Sequence, residues 1–539
     1  MSDIMRGIDF KTLLCDTLSE YKKTKSCYHV PVVDIARNTY EIAGKPVALP
    51  LGPAAGPHTQ LAQNIVAGFV AGARIFELKT VQVMVGEELG IIKPCIYVDQ
   101  EAYNTEWSTE LTVKEAADEY IKAYILVNVI AKEFNIAPDF QFHISVGYDL
   151  AGIKSKTVDE FLNTMHDASI SETWGECIQI VLDNLDLLEN VDAEFVKSLS
   201  PRISELVTLS TMHGCPPDEI EKIATHLIEE KGYNTYIKCN PTLIGYDRVR
   251  KLLDDNGYTD IIFDKTNFDH DMKLDDAVKM IERLMSFAKS KNKIFGVKLT
   301  NTFPVTISQN QLAGETMYMS GKPLFLLAIN VAKVLSEASN GTLPISFSGG
   351  IDAHNINDVM ACGIAPVTVA TILLKAGGYR NLSKLAKLVP EEIPSKIDLT
   401  KLSELCEKVS GDSYYNRVPF KKKVVDSNPP DACYKCRNCV DVCPNRANFP
   451  MADIKSCIHI DHYCNECGNC ACLCPFGYVP YRDKFTYFET TWDFEHSTND
   501  GFLNNEKYRY KGEVFEDISK LPESLQEIIA TFMQGGKKQ

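Results

Sequence analysis

Two near-copies of one cysteine pattern constrain this chain more than any other feature of its sequence. The first, CYKCRNCVDVCP, begins at Cys433, and the second, CNECGNCACLCP, begins at Cys464; both read C-x2-C-x2-C-x3-C-P. Ten of the 18 cysteines fall between Cys433 and Cys474, and the other eight are spread over the first 406 residues. A secreted disulfide scaffold is short and evenly laced with cysteine, so this distribution predicts a large reduced protein with one metal-binding module.

The spacing is that of bacterial ferredoxins with two [4Fe–4S] clusters. Three closely spaced thiolates wrap one face of an iron–sulfur cube, and the cysteine before the proline reaches across to the other cube. We therefore predict one cluster on Cys433, Cys436, Cys439 and Cys474, and a second on Cys443, Cys464, Cys467 and Cys470. Structural zinc sites are the alternative, although they usually combine two C-x2-C pairs. Cys457 and Cys472 lie outside the pattern, and we expect them to pack as small buried side chains.

Upstream of the cysteines, short apolar segments alternate with amphipathic helical stretches. The candidate strands are PVALPLG, ARIFELKT, FQFHISVGY, LVTLSTMHG, NTYIKCNP, DIIFD, IFGVKLTN, LPISFSG and PVTVAT. This alternation indicates a parallel sheet, and the polar or glycine-rich strand ends favour a (β/α)8 barrel whose site lies at those ends.

The resulting prediction is an α/β fold in four parts. They are an N-terminal helical cap (1–45), a (β/α)8 TIM barrel (46–395), a two-cluster ferredoxin-like domain (396–480) and a C-terminal extension (481–539).

Two late strand ends predict a phosphate site. SGG at 348–350 and VAT at 369–371 end neighbouring candidate strands, where glycine amides of a barrel commonly cradle phosphate. No G-x-G-x-x-G fingerprint lies between a strand and a helix, so no nicotinamide-binding domain is expected. Next to an iron–sulfur module, a flavin phosphate is the favoured occupant.

Charge and hydropathy exclude two classes of partner. The formal net charge of −16 argues against a nucleic-acid-binding surface, which needs a basic footprint. No apolar run approaches the roughly 18 residues of a membrane span, and the first residues lack the apolar segment of a secretory signal. A soluble cytoplasmic protein is expected.

Residues of about 45 to 480 resemble the dihydroorotate dehydrogenase family of FMN enzymes, and in particular the FMN-and-cluster half of dihydropyrimidine dehydrogenase. LGPAAG, FELKT and YIKCNP resemble the flavin-contacting segments, YNTEWS and VKLTNT resemble the substrate-contacting segments, and MSGKP, SFSGGID and VTVAT resemble the phosphate cradle. The cofactor contacts that the resemblance implies are Ala54, Ala55, Gly56, Lys79, Thr80, Lys238, Thr300, Ser320, Gly321, Ser348, Gly349, Gly350, Ala370 and Thr371. The implied substrate contacts are Asn104, Glu106, Asn301 and Thr302.

The proton donor departs from the family pattern. Where dihydropyrimidine dehydrogenase has an Asn-Leu-Ser-Cys segment with a catalytic cysteine, this chain reads TLSTMHGCPP, with Thr208 in place of the Asn and Thr211 in place of the Cys. Cys215, four residues later, is the leading candidate, and His213, Ser210 and Thr211 are its competitors.

The subgroup with the nearest resemblance is named for selenate reductase iron–sulfur subunits and is associated with anaerobic purine catabolism. It implies an FMN- and iron–sulfur-dependent oxidoreductase that reduces a purine- or pyrimidine-type cyclic ureide, with urate as the leading substrate and with electrons entering through the clusters. A dihydropyrimidine- or dihydroorotate-type dehydrogenase and an electron-transfer subunit of a larger complex are the alternatives. We expect a separate electron donor, either a ferredoxin or an FAD/NAD(P)H reductase, and a homodimer is the common outcome for such enzymes.

Overall fold

Eight parallel strands form a barrel in the computed structural model, which describes residues 4–535 apart from 34, 36–37, 85, 107, 211–214, 419–432, 434–435 and 452. The strands are β1 (Leu51–Pro53), β2 (Ile75–Glu77), β3 (Gln141–Val146), β4 (Leu206–Leu209), β5 (Asn234–Cys239), β6 (Phe295–Leu299), β7 (Ile345–Phe347) and β8 (Val367–Val369). Their order in the sheet is β1-β8-β7-β6-β5-β4-β3-β2, so each lies beside its neighbours in sequence. The Arg74 N–H donates to Leu51 O at 2.9 Å and brings β2 against β1. The predicted TIM barrel is confirmed.

Helices between the strands form the outer layer of the barrel. They are Ala62–Val70, Val113–Glu133, Leu150–Ile153, Lys156–His166, Glu172–Asp183, Ala193–Ser198, Pro217–Glu229, Tyr246–Asp255, Lys265–His270, Leu274–Ser290, Lys322–Ala338 and Ile356–Ala361. Three more, Thr371–Leu374, Arg380–Ala386 and Leu399–Gly411, follow β8. Local sequence fixes where they begin. Thr112, for example, accepts from the Glu115 N–H while the Glu115 carboxylate accepts from the Thr112 N–H, a reciprocal cap that satisfies two amides at the helix start.

The strand predicted at DIIFD is wrong. Residues 260–264 form no regular element, and the Ile262 side chain is 55% exposed. Asp264 instead caps the helix Lys265–His270 by accepting from the Thr266 N–H at 2.8 Å. A single backbone contact, from the Thr306 N–H to Ile262 O at 2.8 Å, joins this run to a strand, and one contact does not make a ladder.

Two further groups of elements lie around the ends of the barrel. A small antiparallel sheet follows β2 and β6 and consists of Ile96–Val98, Ala102–Asn104, Phe303–Thr306 and Thr316–Ser320. The N-terminal residues contribute the helix Phe10–Thr24 and the strand pairs Ser26–Cys27 with Val30–Pro31 and Tyr40–Ile42 with Lys45–Val47. Leu13 and Leu14 of that helix are fully buried in the same hydrophobic core as the barrel.

The cysteine-rich part of the chain forms a second unit with its own core. Its six-stranded sheet comprises Asn448–Met451, Ser456–Ile460, Thr486–Phe488, Gly501–Leu503, Lys507–Tyr510 and Glu513–Phe515. Short helices Asn438–Asp441, Asn469–Cys472, Pro480–Asp483 and Thr491–His496 accompany it. The helix Glu523–Gly535 packs Leu525, Ile529 and Phe532 against Ile458 and Phe502. The sheet therefore takes strands from both sides of residue 480.

Among the described residues, no helix is both long enough and apolar enough to cross a membrane.

Candidate functional site

The carboxyl ends of the barrel strands gather the predicted site residues at one edge of the barrel. Ala54 follows β1, Lys79 and Thr80 follow β2, Ser210 follows β4, Thr300 and Asn301 follow β6, Ser348 follows β7, and Ala370 follows β8. Lys238 lies within β5, one residue before its end. Because parallel strands all end at the same rim, residues far apart in sequence meet there.

Three predicted phosphate-binding segments converge at this rim. The Ser320 and Thr371 hydroxyls lie 2.8 Å apart and share a hydrogen bond. Gly350 has a φ of +69°, and a Cβ built on it would lie 2.2 Å from Gly321 O. Gly321 in turn precedes the 17-residue helix Lys322–Ala338, whose first amides point toward the same place. The three segments thus meet at one place, and glycine-rich strand ends beside a helix N-terminus are of the kind that holds a phosphate.

Lys79 and Glu106, predicted for cofactor and substrate respectively, form a buried ion pair. Lys79 Nζ lies 2.9 Å from Glu106 Oε1. The other carboxylate oxygen, Oε2, is 3.9 Å from the Cys95 thiol. Glu106 is thus fixed by the protein on both sides, and its contact with a substrate stays a prediction.

A second buried ion pair was missed by the sequence reasoning. Glu77, in β2, accepts from Lys298, in β6, with Oε1 and Nζ 2.9 Å apart. Both residues stand in otherwise apolar strands, IFE and FGVKL, and a charged residue inside a buried strand is the signal that could have revealed them.

Cys215 shares a small cavity with Lys238. Cys239, Asn240 and Asp271 also line it. Burial and the nearby carboxylates raise the pKa of Cys215 to about 11, so the group is a protonated thiol at neutral pH. The competing candidates Thr211 and His213 lie outside the described residues. Ser210 is held by its backbone, whose N–H donates to Val146 O at 2.9 Å.

Asn301 is oriented by a chain of polar contacts from the β5 loop. Asn301 Nδ2 donates to Asn240 Oδ1 at 2.6 Å, and Asn240 Nδ2 donates to Asp271 Oδ2 at 3.1 Å. The Thr242 hydroxyl donates to the same Asp271 oxygen at 2.7 Å. The Asn301 carbonyl oxygen is thereby turned away from Asn240. Asn104 pairs through its backbone with Tyr318, and Thr302 leads into the same small sheet.

The eight cysteines of the repeated pattern surround two separate cavities. An outer cavity is lined by Cys433, Cys436, Cys439 and Cys474. An inner cavity is lined by Cys443, Cys464, Cys467 and Cys470. These are the two crossed sets of the sequence pattern, although cluster ligation itself stays a prediction. Within the described part of the chain, no three His, Cys, Asp or Glu side chains converge closely enough to hold a single metal ion.

The two cavities differ in their surroundings. Cys436 of the outer cavity is exposed, whereas Cys443, Cys467 and Cys470 of the inner cavity are buried. The inner cavity lies against the barrel, where the N–H groups of Cys95 and Ile96 donate to Cys467 O at 3.2 and 2.8 Å. Cys95 is the residue whose thiol faces Glu106. The inner cavity is thus joined to the barrel rim through Cys467.

Buried amides complete the contact between barrel and module. Asn445 Oδ1 accepts from Gln60 Nε2 and Asn64 Nδ2, each at 3.2 Å. Asn445 Nδ2 donates to Asn465 Oδ1, and Asn465 Nδ2 donates to Glu110 Oε1 at 2.8 Å. Glu110 also pairs with Lys93. Of the two cysteines outside the pattern, Cys472 donates to Ile96 O in this contact, and Cys457 is fully buried in the sheet.

The barrel rim fits a flavin mononucleotide in its chemistry. At Gly350 an added Cβ would collide with Gly321 O, so the two phosphate segments approach each other as closely as only glycine allows. The Thr300 hydroxyl is buried, and no described residue hydrogen-bonds to it. Lys238 supplies a cation at the wall of the neighbouring cavity. A phosphorylated ring cofactor that becomes anionic needs a site for its phosphate, a polar group that can hydrogen-bond to the ring, and a nearby positive charge. The rim offers residues for each of these three contacts.

Comparisons with known proteins place the barrel in a family. Residues 28–417 match the family described as oxidoreductase YgfK, N-terminal TIM-barrel domain. The proteins named "Putative oxidoreductase YgfK" from Escherichia coli K12 and O157:H7 are each 42% identical over 478 residues, which is 84% of this chain and 46% of theirs. The chain thus spans about half the length of these curated relatives.

Two dihydroorotate dehydrogenases show weaker likeness. The quinone-type enzyme of Shewanella woodyi is 38% identical over 96 residues, 16% of this chain and 27% of that protein. The ligand-free DHODH structure from Eimeria tenella covers 71% of this chain and 97% of its own, with a TM-score of 0.43 and 14% identity. The match over residues 28–417 and the identity to the two Escherichia coli proteins together decide the assignment: the chain belongs to the YgfK oxidoreductase family.

Proposed function

We propose that this oxidoreductase is an FMN- and iron–sulfur-dependent reductase of a purine- or pyrimidine-type cyclic ureide, with urate as the leading substrate. The observation that carries the proposal is the contact between Cys467 of the inner cavity and Cys95 beside the Lys79–Glu106 pair. It supports an electron path from the outer cavity to the inner cavity and on to the barrel rim. Two [4Fe–4S] clusters in the cavities would carry single electrons along it.

Residues of the rim would hold the cofactor. Ser320, Gly321, Gly350 and Thr371 would bind its phosphate, and Thr300 and Lys238 would contact the ring system. FMN, when bound there, would supply hydride chemistry and exchange electrons singly with the clusters.

The remaining steps belong to side chains of the chain itself. Cys215, as a thiol, would donate the proton that the substrate gains on reduction; such a donor is typically worth about 10²–10⁴-fold in rate. Asn301, fixed by Asn240, would present its carbonyl oxygen to a ring N–H. An unpaired buried polar group costs about 1–3 kcal/mol, so the edge of a ureide ring needs such matched partners.

Anaerobic purification with flavin and iron determination tests the proposal first. The reduced protein is then offered urate, other oxopurines, uracil and simple ureides, and flavin reoxidation is followed by absorbance. Reoxidation by urate with formation of a dihydro product supports the leading substrate. A purified chain without flavin would overturn the proposal.

Dihydroorotate is the second candidate substrate, favoured by the local similarity to the Shewanella woodyi enzyme. In this case the flavin would be reduced by dihydroorotate and the clusters would pass electrons outward. Dihydroorotate would be favoured as the substrate if it bleaches the flavin absorbance of the oxidised protein and if urate does not reoxidise the reduced flavin. Activity that appears only with an added partner subunit would instead favour an electron-transfer role.

A further inference from the structure

Two lysines face each other inside the barrel. Lys238 of β5 and Lys298 of β6 are direct partners in the strand register. Residues paired in register on neighbouring strands project from the same face, so both side chains enter the same part of the barrel. Like charges directly opposite each other are unfavourable, and something must compensate them.

Glu77 compensates Lys298 through a closed ring of contacts. Lys298 is fully buried, and its ammonium group donates to Glu77 Oε1 and Ser346 Oγ, each at 2.9 Å, and to Thr368 Oγ1 at 2.6 Å. The Thr368 hydroxyl donates to Glu77 Oε2 at 3.1 Å. The ring draws on β2, β6, β7 and β8, and it occupies all three ammonium hydrogens of Lys298.

The ring reaches the loop that follows β1. Glu77 Oε2 also accepts from the Ala55 N–H at 3.4 Å, in the segment predicted to contact the flavin. Burial alone would raise the pKa of Glu77, but Lys298 and Lys238 lower it below its ordinary value, so the group is a carboxylate. Burial lowers the pKa of Lys298 to about 8 even with Glu77 beside it.

A gain in the free energy of unfolding does not explain why these three charged side chains are buried together. Removing two charges from water costs about as much as their attraction returns, and well-packed apolar residues are often at least as stable. The three charges sum to one positive charge. Lys298 is held inside the ring, whereas Lys238 lines the cavity that contains Cys215.

We propose that Lys298 is a positioning residue that engages Glu77 and so leaves Lys238 as a positive charge for the bound flavin, raising the reduction potential of that flavin. The inference rests on the proposed FMN site. Two-electron reduction of FMN with uptake of one proton leaves an anion, which a neighbouring positive charge favours. Without Lys298, the Glu77 carboxylate would pair with Lys238. The net charge of this group of side chains would then fall from +1 to zero.

Lys298→Met and Lys298→Gln test the inference; the glutamine variant keeps a hydrogen-bond donor. Each variant should bind reduced FMN at least about tenfold more weakly, relative to oxidised FMN, than the wild-type protein does. For a two-electron couple, this change lowers the reduction potential of the bound flavin by about 30 mV. The double variant Glu77→Gln/Lys298→Met leaves Lys238 as the single charge and should return the potential to that of the wild-type protein. Thr368→Val is the matched control, since it alters the ring but keeps all three charges.

Spectroelectrochemical titration of the anaerobic full chain gives the potentials, and the two flavin dissociation constants give an independent measure. An unchanged potential in both lysine variants, or a double variant that stays low, overturns the inference and leaves the proposed function standing. If neither lysine variant folds, Glu77→Gln is titrated between pH 5 and pH 8 in their place. A potential above that of the wild-type protein at the acid end of this range, where Lys298 is protonated, is expected, and a potential equal to or below that of the wild-type protein over the whole range counts against the inference. A wild-type chain that binds no FMN overturns both proposals.

Discussion

Glu106 Oε1 lies 2.9 Å from Lys79 Nζ, and the two side chains are only 1% and 5% exposed. The pair stands between the barrel rim and the loop that contacts Cys467. Its two residues were assigned to different ligands on the basis of sequence, and the fold makes them partners of each other.

Glu106→Gln should destabilise the protein strongly, because it leaves the Lys79 charge buried without its partner. Breaking a buried pair from one side typically costs about 3–5 kcal/mol. Glu160→Gln is the matched control, since Glu160 and Lys156 are 3.7 Å apart but 65% and 88% exposed, and such pairs are worth about 0–1 kcal/mol. Urea unfolding of both variants gives the comparison, and equal losses would show that the buried pair has no special weight.

Cys215→Ala should slow substrate reduction by about 10²–10⁴-fold while leaving the flavin content unchanged. The reason is loss of the only proton donor that we assign. Cys15→Ala, at another partly buried thiol in the N-terminal helix, is the control and should keep the wild-type rate. Stopped-flow reoxidation of the reduced flavin separates this step from cofactor binding; a Cys215→Ala variant at the wild-type rate would move the assignment to Ser210, Thr211 or His213.

Ionisation of Cys215 should lower the rate of substrate reduction at high pH and should leave that rate unchanged at low pH. Burial raises the pKa of this thiol to about 11, so the donor is present throughout the neutral range and is lost as the pH rises through that value. An unfolded cysteine ionises at about 8.5, so the contribution of Cys215 to the free energy of unfolding is complete below about 8.5 and declines between there and about 11. Rate profiles of the wild-type protein and unfolding curves of wild type and Cys215→Ala check both statements, and a donor lost near pH 7 would contradict them.

Cys474→Ala should remove the outer cluster and spare the inner one, although Cys474 belongs to the second repeat. The crossed lining of the two cavities is the reason. Iron content should fall to about half, and the cluster signal that remains should match that of Cys436→Ala rather than that of Cys470→Ala. Cys472→Ala, which alters a partly buried thiol outside both cavities, should retain all the iron.

Gly350→Ala should weaken FMN binding by at least about tenfold, or about 1.4 kcal/mol. The residue has a φ of +69°, and its new Cβ would meet Gly321 O within 2.2 Å, inside the phosphate surface. Gly175→Ala is the control; it lies in the helix Glu172–Asp183 with nothing within 4 Å of the added atom. Fluorescence titration with FMN measures both, and equal affinities would place the phosphate elsewhere.

The sequence was sufficient for the parts of this fold that local patterns determine. Strand–helix alternation yields the barrel because each βα unit buries its own apolar face, and the chain order of the strands follows from right-handed connections. The rim residues followed as well, since strand ends mark one edge. DIIFD failed because a short apolar run does not reveal whether a partner strand exists beside it.

Long-range pairing set the limit on what could be predicted. Glu77 and Lys298 are 221 residues apart in the numbering, and only the closed barrel shows that they neutralise each other. In the sheet of the cysteine module, the strands Ser456–Ile460 and Thr486–Phe488 likewise pair in parallel. No short turn connects them, so the local sequence does not predict this pairing. The Lys79–Glu106 contact depends on how the loop after β2 folds back, which its own residues do not reveal.

The unequal burial of the two cavities has a practical consequence for anyone who handles the protein. Oxygen reaches exposed thiolate sites first, and Cys436 opens the outer cavity to solvent while Cys443, Cys467 and Cys470 are covered. If the two cavities hold clusters as proposed, a preparation briefly exposed to air would lose its outer cluster, keep about half of its iron and still bind flavin. Its spectrum would be that of a protein with a single cluster. The ratio of iron to flavin would then show whether the sample had been exposed to oxygen.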